Sequence, residues 1–186
     1  FRWGDEGLGK WNLELDELDP ALTLLGRHDA LVELDLPRFD VADVGGAWGV
    51  TSAATNFAVS GGTGRVTMPT AGSGPNAYLA AVSSSDTEVR VRLGFDKPAT
   101  GNGTYVSVLG RRVDVSDYRA KVRLQANGTV QVILGTYTGT ETPLGSLVLP
   151  GLTYTPGETL EVKFQVTGSA PTTLRVKVWK TGQAEP

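Results

Sequence analysis

Side chains that could carry out catalysis are few in this sequence. The chain has one histidine, His28, and no cysteine, so a Ser-His-Asp triad or a histidine metal site would have to use that side chain. His28 follows Gly26-Arg27 at the end of a predicted helix, where a cation interacts favourably with the helix dipole. No Gly-x-Ser-x-Gly motif is present. We therefore expect no enzymatic activity.

Carboxylates are the second group that could do chemistry. Glu14 and Asp16 would share one face of a predicted strand, as the acid and nucleophile of a glycosidase can. Their acidic run leads directly into a helix cap, and no aromatic residues follow to line a sugar cleft. Glycoside hydrolysis is therefore the least favoured of the three functions considered for this chain. Asp35, Asp40 and Asp43 could bind calcium or form a solvated acidic surface, but no dense Asp/Asn-Gly loop surrounds them. We expect no metal and no cofactor.

Composition and charge place the chain among globular proteins. Of its 186 residues, 40% are apolar and 20% are charged, and no apolar run approaches the ~18 residues of a membrane-spanning helix. Residues 1–45 hold four basic and eleven acidic side chains, a net charge of −7, whereas residues 46–186 hold thirteen and nine, a net charge of +4. This asymmetry predicts an acidic head, residues 1–40, and a mildly basic body, residues 41–186. Neither charge is large enough to indicate nucleic-acid binding.

The head is predicted to contain a strand, a short helix and a second strand. Apolar and polar residues alternate over 11–15, which indicates a half-buried strand. Asp19-Pro20 supplies the N-cap and first position of a helix that Gly26 ends, and residues 30–36 form the second strand. A unit of this size is too small to fold alone, so we expect its apolar residues to form an assembly interface. The predicted interface residues are Trp11, Leu13, Leu22 and Leu25.

The body is predicted to be nearly all strand. Short alternating runs are separated by Gly, Pro, Asn or Ser, as in an antiparallel sandwich or jelly roll. The predicted strands are 47–50, 56–60, 64–68, 77–82, 87–95, 104–113, 118–125, 129–136, 144–149, 158–166 and 173–180. Asn127-Gly128 lies between two of them and predicts a two-residue hairpin with a type I′ turn. The residues expected in the core are Trp48, Phe57, Tyr78, Leu93, Val106, Val122, Val132, Val162, Phe164 and Val176.

Alternation in four of the later strands assigns their side chains to a buried face and a solvent-facing, or wet, face. These strands are 87–95, 118–125, 158–166 and 173–180. If these strands share one sheet, the wet face is basic, with only Glu88 and Glu161 to counter it. Its basic residues are Arg90, Arg92, Arg119, Lys121, Arg123, Lys163, Arg175 and Lys177. This face is either a solvated surface, since Lys and Arg keep sheets soluble, or a docking surface for an acidic partner or anionic glycan. Trp179 would offer an aromatic platform there.

Six stretches of the body carry a family resemblance. They are 43–48, 57–64, 77–79, 103–112, 118–121 and 174–179. In residue type and order they resemble a concanavalin/laminin-G-like jelly-roll module, which recurs in actinobacterial surface proteins and in minor tail proteins of phages that infect those bacteria. The resemblance covers about residues 40–186. The opening strand of the module is shortened here to Arg38-Phe39-Asp40-Val41 and its closing strands are missing, so we expect that residues are absent at both ends.

The head carries a second resemblance. Gly9-Lys10-Trp11-Asn12-Leu13-Glu14-Leu15, then Asp19-Pro20-Ala21-Leu22 and Leu24-Leu25, resemble the opening of siphophage tail-tip hub proteins. In those proteins a strand, a short helix and a strand begin a ring-forming β domain. A bacterial surface protein would not be expected to carry this head, so the pairing of the two segments favours a phage tail protein.

The two resemblances imply a non-enzymatic structural protein of a phage tail tip, located in the virion, whose jelly roll binds host glycans during adsorption. The expected partners are other tail proteins, further copies of this chain and host cell-wall glycans. The alternative is a secreted bacterial carbohydrate-binding or adhesion module. The predicted glycan-binding residues are Arg111, Arg112, Tyr105, Tyr118 and Trp179. Their alternative role is structural, with the two tyrosines in the core and an arginine paired with Asp114 or Asp117.

Overall fold

Short alternating runs give this chain an almost entirely β structure. The computed structural model describes residues 2–5, 11–14, 41–42, 46–60 and 63–186. Within them the chain forms one 3₁₀ turn, Ala54–Asn56, and antiparallel pairs of strands. The strands are β1 Arg2–Asp5, β2 Trp11–Glu14, β3 Val41–Ala42, β4 Gly46–Ala47, β5 Gly49–Val50, β6 Phe57–Ser60, β7 Thr63–Val66, β8 Ala77–Tyr78, β9 Thr87–Leu93, β10 Thr104–Val113, β11 Ser116–Leu124, β12 Thr129–Thr138, β13 Glu141–Thr153, β14 Leu160–Thr167 and β15 Thr173–Lys180.

Two sheets enclose the main core. One is a four-stranded meander in the order β10-β11-β12-β13, and the other has the order β15-β14-β9. The inward side chains of both sheets belong to one buried cluster, an arrangement consistent with a β sandwich. Its buried strand residues are Val108, Tyr118, Ala120, Val122, Leu124, Val130, Val132, Leu134, Leu160, Val162, Phe164, Val166, Leu174, Val176 and Val178.

The positions of the body strands agree closely with the sequence prediction. Each predicted strand overlaps an observed one, and the bounds of β10 and β15 are those predicted. Six of the ten expected core residues are buried, whereas the other four are half-buried. Those four are Trp48, Tyr78, Leu93 and Val106. The antiparallel, mainly β class is therefore confirmed.

The prediction that the basic residues share one wet face is wrong. β11 belongs to the four-stranded sheet, whereas β9, β14 and β15 form the other sheet. Because the inner faces of the two sheets share one core, their outer faces point in opposite directions. The predicted basic face is therefore divided into two faces on opposite sides of the sandwich. Alternation separates inward from outward side chains, but it carries no information on sheet membership.

The hairpin between β11 and β12 has a different turn from the one predicted. The Gly128 N–H donates to the Gln125 carbonyl at 2.9 Å, and Gln125 N donates to Thr129 O at 2.9 Å. Gly128 has a φ of +84°, but Asn127 does not have the positive φ that a type I′ turn requires. The loop therefore has three residues, 126–128, as in a type I turn followed by a glycine bulge. The Asn127 side chain accepts hydrogen bonds from Thr129 N at 3.1 Å and Thr129 Oγ1 at 2.8 Å, which stabilises this turn.

The described residues divide into two compact units, with the division between Ser83 and Ser84. The sandwich unit also contains the β1–β2 hairpin, and β2 lies beside the edge strand β15. The other unit contains the pairs β3–β4, β5–β8 and β6–β7.

Several predictions for the head lie outside the described residues. These include the predicted helix and second strand, with Leu22 and Leu25, and residue 40, where the charge pattern placed the boundary. Trp11 and Leu13 lie in β2. No helix among the described residues is long and apolar enough to cross a membrane.

Candidate functional site

The outer face of the four-stranded sheet arranges its side chains in rows across the strands. Tyr105 of β10 is opposite Arg123 of β11, which is opposite Gln131 of β12, which is opposite Val148 of β13. Three spacings of about 4.8 Å make this row about 14 Å long. Tyr105 and Val148 are exposed, at 40% and 44% of their surface. A flat aromatic ring, a cation and an amide are therefore presented together on a rigid sheet.

Two cations flank the ring of Tyr105. The guanidinium carbon of Arg123 lies 5.4 Å from the ring centroid and Lys121 Nζ lies 5.6 Å from it. Both are within the range of a cation–π interaction. The Tyr105 hydroxyl donates to the Asn102 carbonyl at 3.0 Å, and Arg123 Nε donates to the same oxygen at 2.8 Å. The turn before β10 thus holds both side chains in place.

A charge network lies next to this row on the same face. Arg119 donates two hydrogen bonds to the fully buried Asp117 carboxylate, each 2.8 Å long, and a third to Glu141 at 3.4 Å. Its guanidinium also lies 4.3 Å from the ring centroid of Tyr137. Burial opposes the charge of Arg119, but the bonds and charges of Asp117 and Glu141 outweigh burial and raise its pKa. Arg119 is therefore held as a cation in a fixed position.

Arg123 differs from the cations of this network because its hydrogen-bond partners are neutral. Glu141 also pairs with Lys121, so both basic residues of the network have a carboxylate partner. Arg123 donates to the Asn102 carbonyl and, at 3.1 Å, to Gln131 Oε1. Within the described part of the chain, no carboxylate compensates its charge. An anionic or hydroxyl-rich ligand beside Tyr105 would therefore meet Arg123.

The structure does not bring the five predicted glycan-binding residues together on one surface. Tyr105 lies on the face just described, whereas Tyr118 is in the core and is 1% exposed. Trp179 is 5% exposed and lies on the outer side of the other sheet. Arg111 is buried at 6% exposure, and Arg112 is half-buried. Of the five, Tyr105 alone lies in the exposed row.

The side chain of Arg111 is buried and binds other parts of the chain, as a residue with a structural role does. It lies at the irregularity between Gly110 and Val113, where β10 leaves its register with β11, and has a φ of +46°. Its side chain donates to the Ser85 carbonyl and to Thr172 Oγ1 at 3.2 Å, and lies 4.0 Å from Asp86. Burial lowers its pKa, and electrostatic interactions with Tyr118 and Asp86 partly offset that effect. The acidic partner is Asp86, not the predicted Asp114 or Asp117, since Asp117 is bound by Arg119.

Sequence reasoning missed Gln131 and Asn102, and it assigned Arg123 and Lys121 to the basic face rather than to a site with Tyr105. A signal that Arg123 and Lys121 lie beside Tyr105 was present, because the short turn after Val113 makes β10 and β11 a hairpin. Counting back from that turn places Tyr105 near Arg123. The bulge at Arg111 shifts the register, so the count alone does not give the pairing.

No group of three or more His, Cys, Asp or Glu side chains within the described ranges could hold a metal ion. Comparisons with protein-family models, with curated proteins and with solved structures found no match.

Proposed function

We propose that this chain is a non-enzymatic structural protein of a phage tail tip, and that its β module binds host cell-surface glycans. The tail-tip assignment rests on the resemblances of the head and of the body. The body resemblance also supports a concanavalin/laminin-G-like jelly roll as the finer class of the sandwich. The binding assignment rests on one observation, the exposed ring of Tyr105 in a row with Arg123 and Gln131.

The chemistry of this row suits a sugar. The apolar C–H face of a pyranose packs on an aromatic ring, and its hydroxyl groups require fixed polar partners. Tyr105 supplies the ring, and the amide of Gln131 and the guanidinium of Arg123 supply the partners. Their mutual hydrogen bond of 3.1 Å fixes both groups before a ligand arrives. Preorganised polar groups lose less conformational entropy on binding.

Replacing Tyr105 tests the glycan proposal. We expect Tyr105→Ala to weaken binding of the purified chain to isolated cell-wall polysaccharide of an actinobacterial host by about tenfold or more, because aromatic anchors dominate such sites. Tyr105→Phe keeps the ring and should retain most of the affinity. Val115→Ala is the matched control, since Val115 is 60% exposed in the turn at the far end of β10. Equal binding by Tyr105→Ala and wild type would contradict the proposal.

The tail assignment has its own test. Antibody against this chain should label the tail tip of intact virions in electron micrographs. Absence of label from virions, together with glycan binding by the purified chain, would replace the tail assignment with the secreted bacterial module.

A further inference from the structure

Three cations lie in one row across the outer face of the three-stranded sheet. Lys163 of β14 is opposite Arg90 of β9 on one side and opposite Lys177 of β15 on the other. Like charges directly opposite each other destabilise a sheet. We name these three residues the cationic row. The neighbouring rows are mixed, because Arg92 is opposite Glu161 and Glu88 is opposite Gln165.

A carboxylate of the same chain occupies the cationic row. Glu185 lies 2.9 Å from Lys177 Nζ, 3.4 Å from Lys163 Nζ and 4.0 Å from Arg90 Nη2. The hydrogen bond from Lys177 is the main cause that keeps the pKa of Glu185 below its ordinary value, against the opposing effect of burial. One carboxylate thus bridges cations from all three strands.

A tight turn brings Glu185 back over the sheet. The Gln183 N–H donates to the Lys180 carbonyl at 3.1 Å, and Gly182 has a φ of +87°. Thr181 Oγ1 donates to Glu161 Oε1 at 3.3 Å, on the same outer face. The segment from Thr181 to Pro186 is therefore attached by this turn, by the hydrogen bond from Thr181 N to Thr159 O at 3.0 Å and by part-buried polar contacts of Thr181 and Glu185. Such a segment can be displaced by a competing anion.

Trp179 adds an aromatic group beside the cationic row. The guanidinium carbon of Arg90 lies 5.2 Å from the centroid of its ring. Trp179 is in register with Glu161, one row away from Lys177. The Trp179 ring is 5% exposed, so a bound ligand would contact the cations of the row and not the ring, and the cations suit the carboxylate of a carboxylated sugar.

We propose that the cationic row is a second glycan site, specific for carboxylated sugars such as uronates, and that Glu185 closes it as an internal stand-in for the ligand carboxylate. The choice of a glycan rests on the proposed function. An acidic peptide is the competing ligand, and the experiment distinguishes the two. The site differs from the Tyr105 row, which lies on the opposite face of the sandwich.

The experiment measures binding of oligogalacturonate to the full chain by calorimetry at low ionic strength. Glu185→Gln should tighten binding about fivefold, because removing an internal competitor raises the fraction of open sites. Glu158→Gln is the matched control, since Glu158 also pairs with a lysine of β15, Lys180 at 2.6 Å, outside the cationic row. Adding Lys177→Gln or Lys163→Gln to Glu185→Gln should abolish the gain. Thermal melting of each variant establishes that it is folded.

Besides the Tyr105→Ala result given below, four results would overturn the proposal. They are an unchanged affinity in Glu185→Gln, an equal gain in Glu158→Gln, equal binding of the oligosaccharide with its carboxyl groups reduced, and tighter binding of a polyglutamate peptide. Tyr105→Ala separates the two sites and should leave oligogalacturonate binding unchanged. A loss in Tyr105→Ala would place this ligand on the four-stranded face, which would overturn the cationic-row site and leave the proposed function standing.

Discussion

Arg111 combines a buried charge, a positive φ and a break in strand register at one position. The side chain reaches Ser85 and Thr172, which precede β9 and β15. The two loops also bond to each other, because Gly168 N donates to Asp86 Oδ1 at 2.8 Å. A left-handed conformation costs a residue with a Cβ about 1–2 kcal/mol, so the contacts of the guanidinium must offset that cost. Arg111 therefore connects β10 to the loops before β9 and β15 at one end of the sandwich.

Two substitutions separate these contributions. Arg111→Ala keeps the backbone cost and loses the hydrogen bonds, so we expect the free energy of unfolding to fall by about 2–3 kcal/mol. Arg111→Gly loses the same bonds but adopts a φ of +46° without strain, so its loss should be smaller by about 1 kcal/mol. Urea denaturation measures both. The control, Arg65→Ala, removes an exposed arginine. An effect of Arg111→Ala no larger than that of the control would contradict the structural role.

At the residue scale, sequence patterns predict whether a side chain points inward or outward better than they predict how exposed that side chain is. Alternation correctly placed Trp179 on the outward side of β15, but its ring is 5% exposed beside Arg90. Tyr118 follows the inward pattern and is buried, so its aromatic ring was not available for a surface site. Accessibility depends on what covers a side chain from elsewhere in the chain. A segment such as Thr181–Pro186, which folds back over a sheet, leaves no periodic signal.

At the scale of elements, strand positions were predictable because each strand has a local pattern. The pairing β14–β9 was not predictable in the same way, since it joins Lys163 to Arg90 across an intervening meander of four strands. Such contacts depend on which sheet a strand joins, and period-two alternation is the same in both sheets. The cationic row arises from this pairing, whereas the Tyr105 row arises from the meander β10-β11-β12-β13. The sequence showed that Arg90, Lys163 and Lys177 point outward, but it did not show which residues of the other strands lie opposite them.

The contact between β10 and β14 depends on the absence of a side chain at Gly110. A Cβ built there would lie 2.7 Å from Val166 Cγ2 and 3.1 Å from Phe164 Cε1, and both residues are fully buried. We expect Gly110→Ala to lower the free energy of unfolding by about 1–3 kcal/mol through overpacking between the sheets. Chemical denaturation provides the measurement.

A double-mutant cycle provides the control for this packing. Val166→Ala removes the methyl group that the new Cβ would meet, so Gly110→Ala should cost less in that background than in wild type, with a coupling above about 0.5 kcal/mol. Gly74→Ala is the matched single control, because a Cβ at Gly74 would meet nothing within 4 Å. Additive effects of Gly110→Ala and Val166→Ala would show that the two sites do not contact through this methyl group.

At the scale of the whole molecule, acidic and basic residues lie in different parts of the chain and on different surfaces. The acidic residues concentrate in 1–45, whereas the outward faces of the two sheets carry most of the basic residues of the body. The cationic row already selects a carboxylate from its own chain. Two kinds of association are therefore available to the head. One is electrostatic attraction to basic faces, and the other is burial of its apolar residues against another chain.

Salt and substitution distinguish these two kinds of association. We expect the full chain to associate through the apolar residues of the head, so sedimentation velocity should show assemblies that persist at about 0.5 M salt, where exposed charges are screened. Each buried leucine contributes about 1.5–3 kcal/mol, so Leu22→Asp with Leu25→Asp should weaken association by more than tenfold. Val115→Asp, at an exposed turn of the body, should leave it unchanged. A purified 1–45 fragment that is monomeric and unfolds cooperatively would contradict this prediction, because such a head would need no partner to bury Trp11 and Leu13.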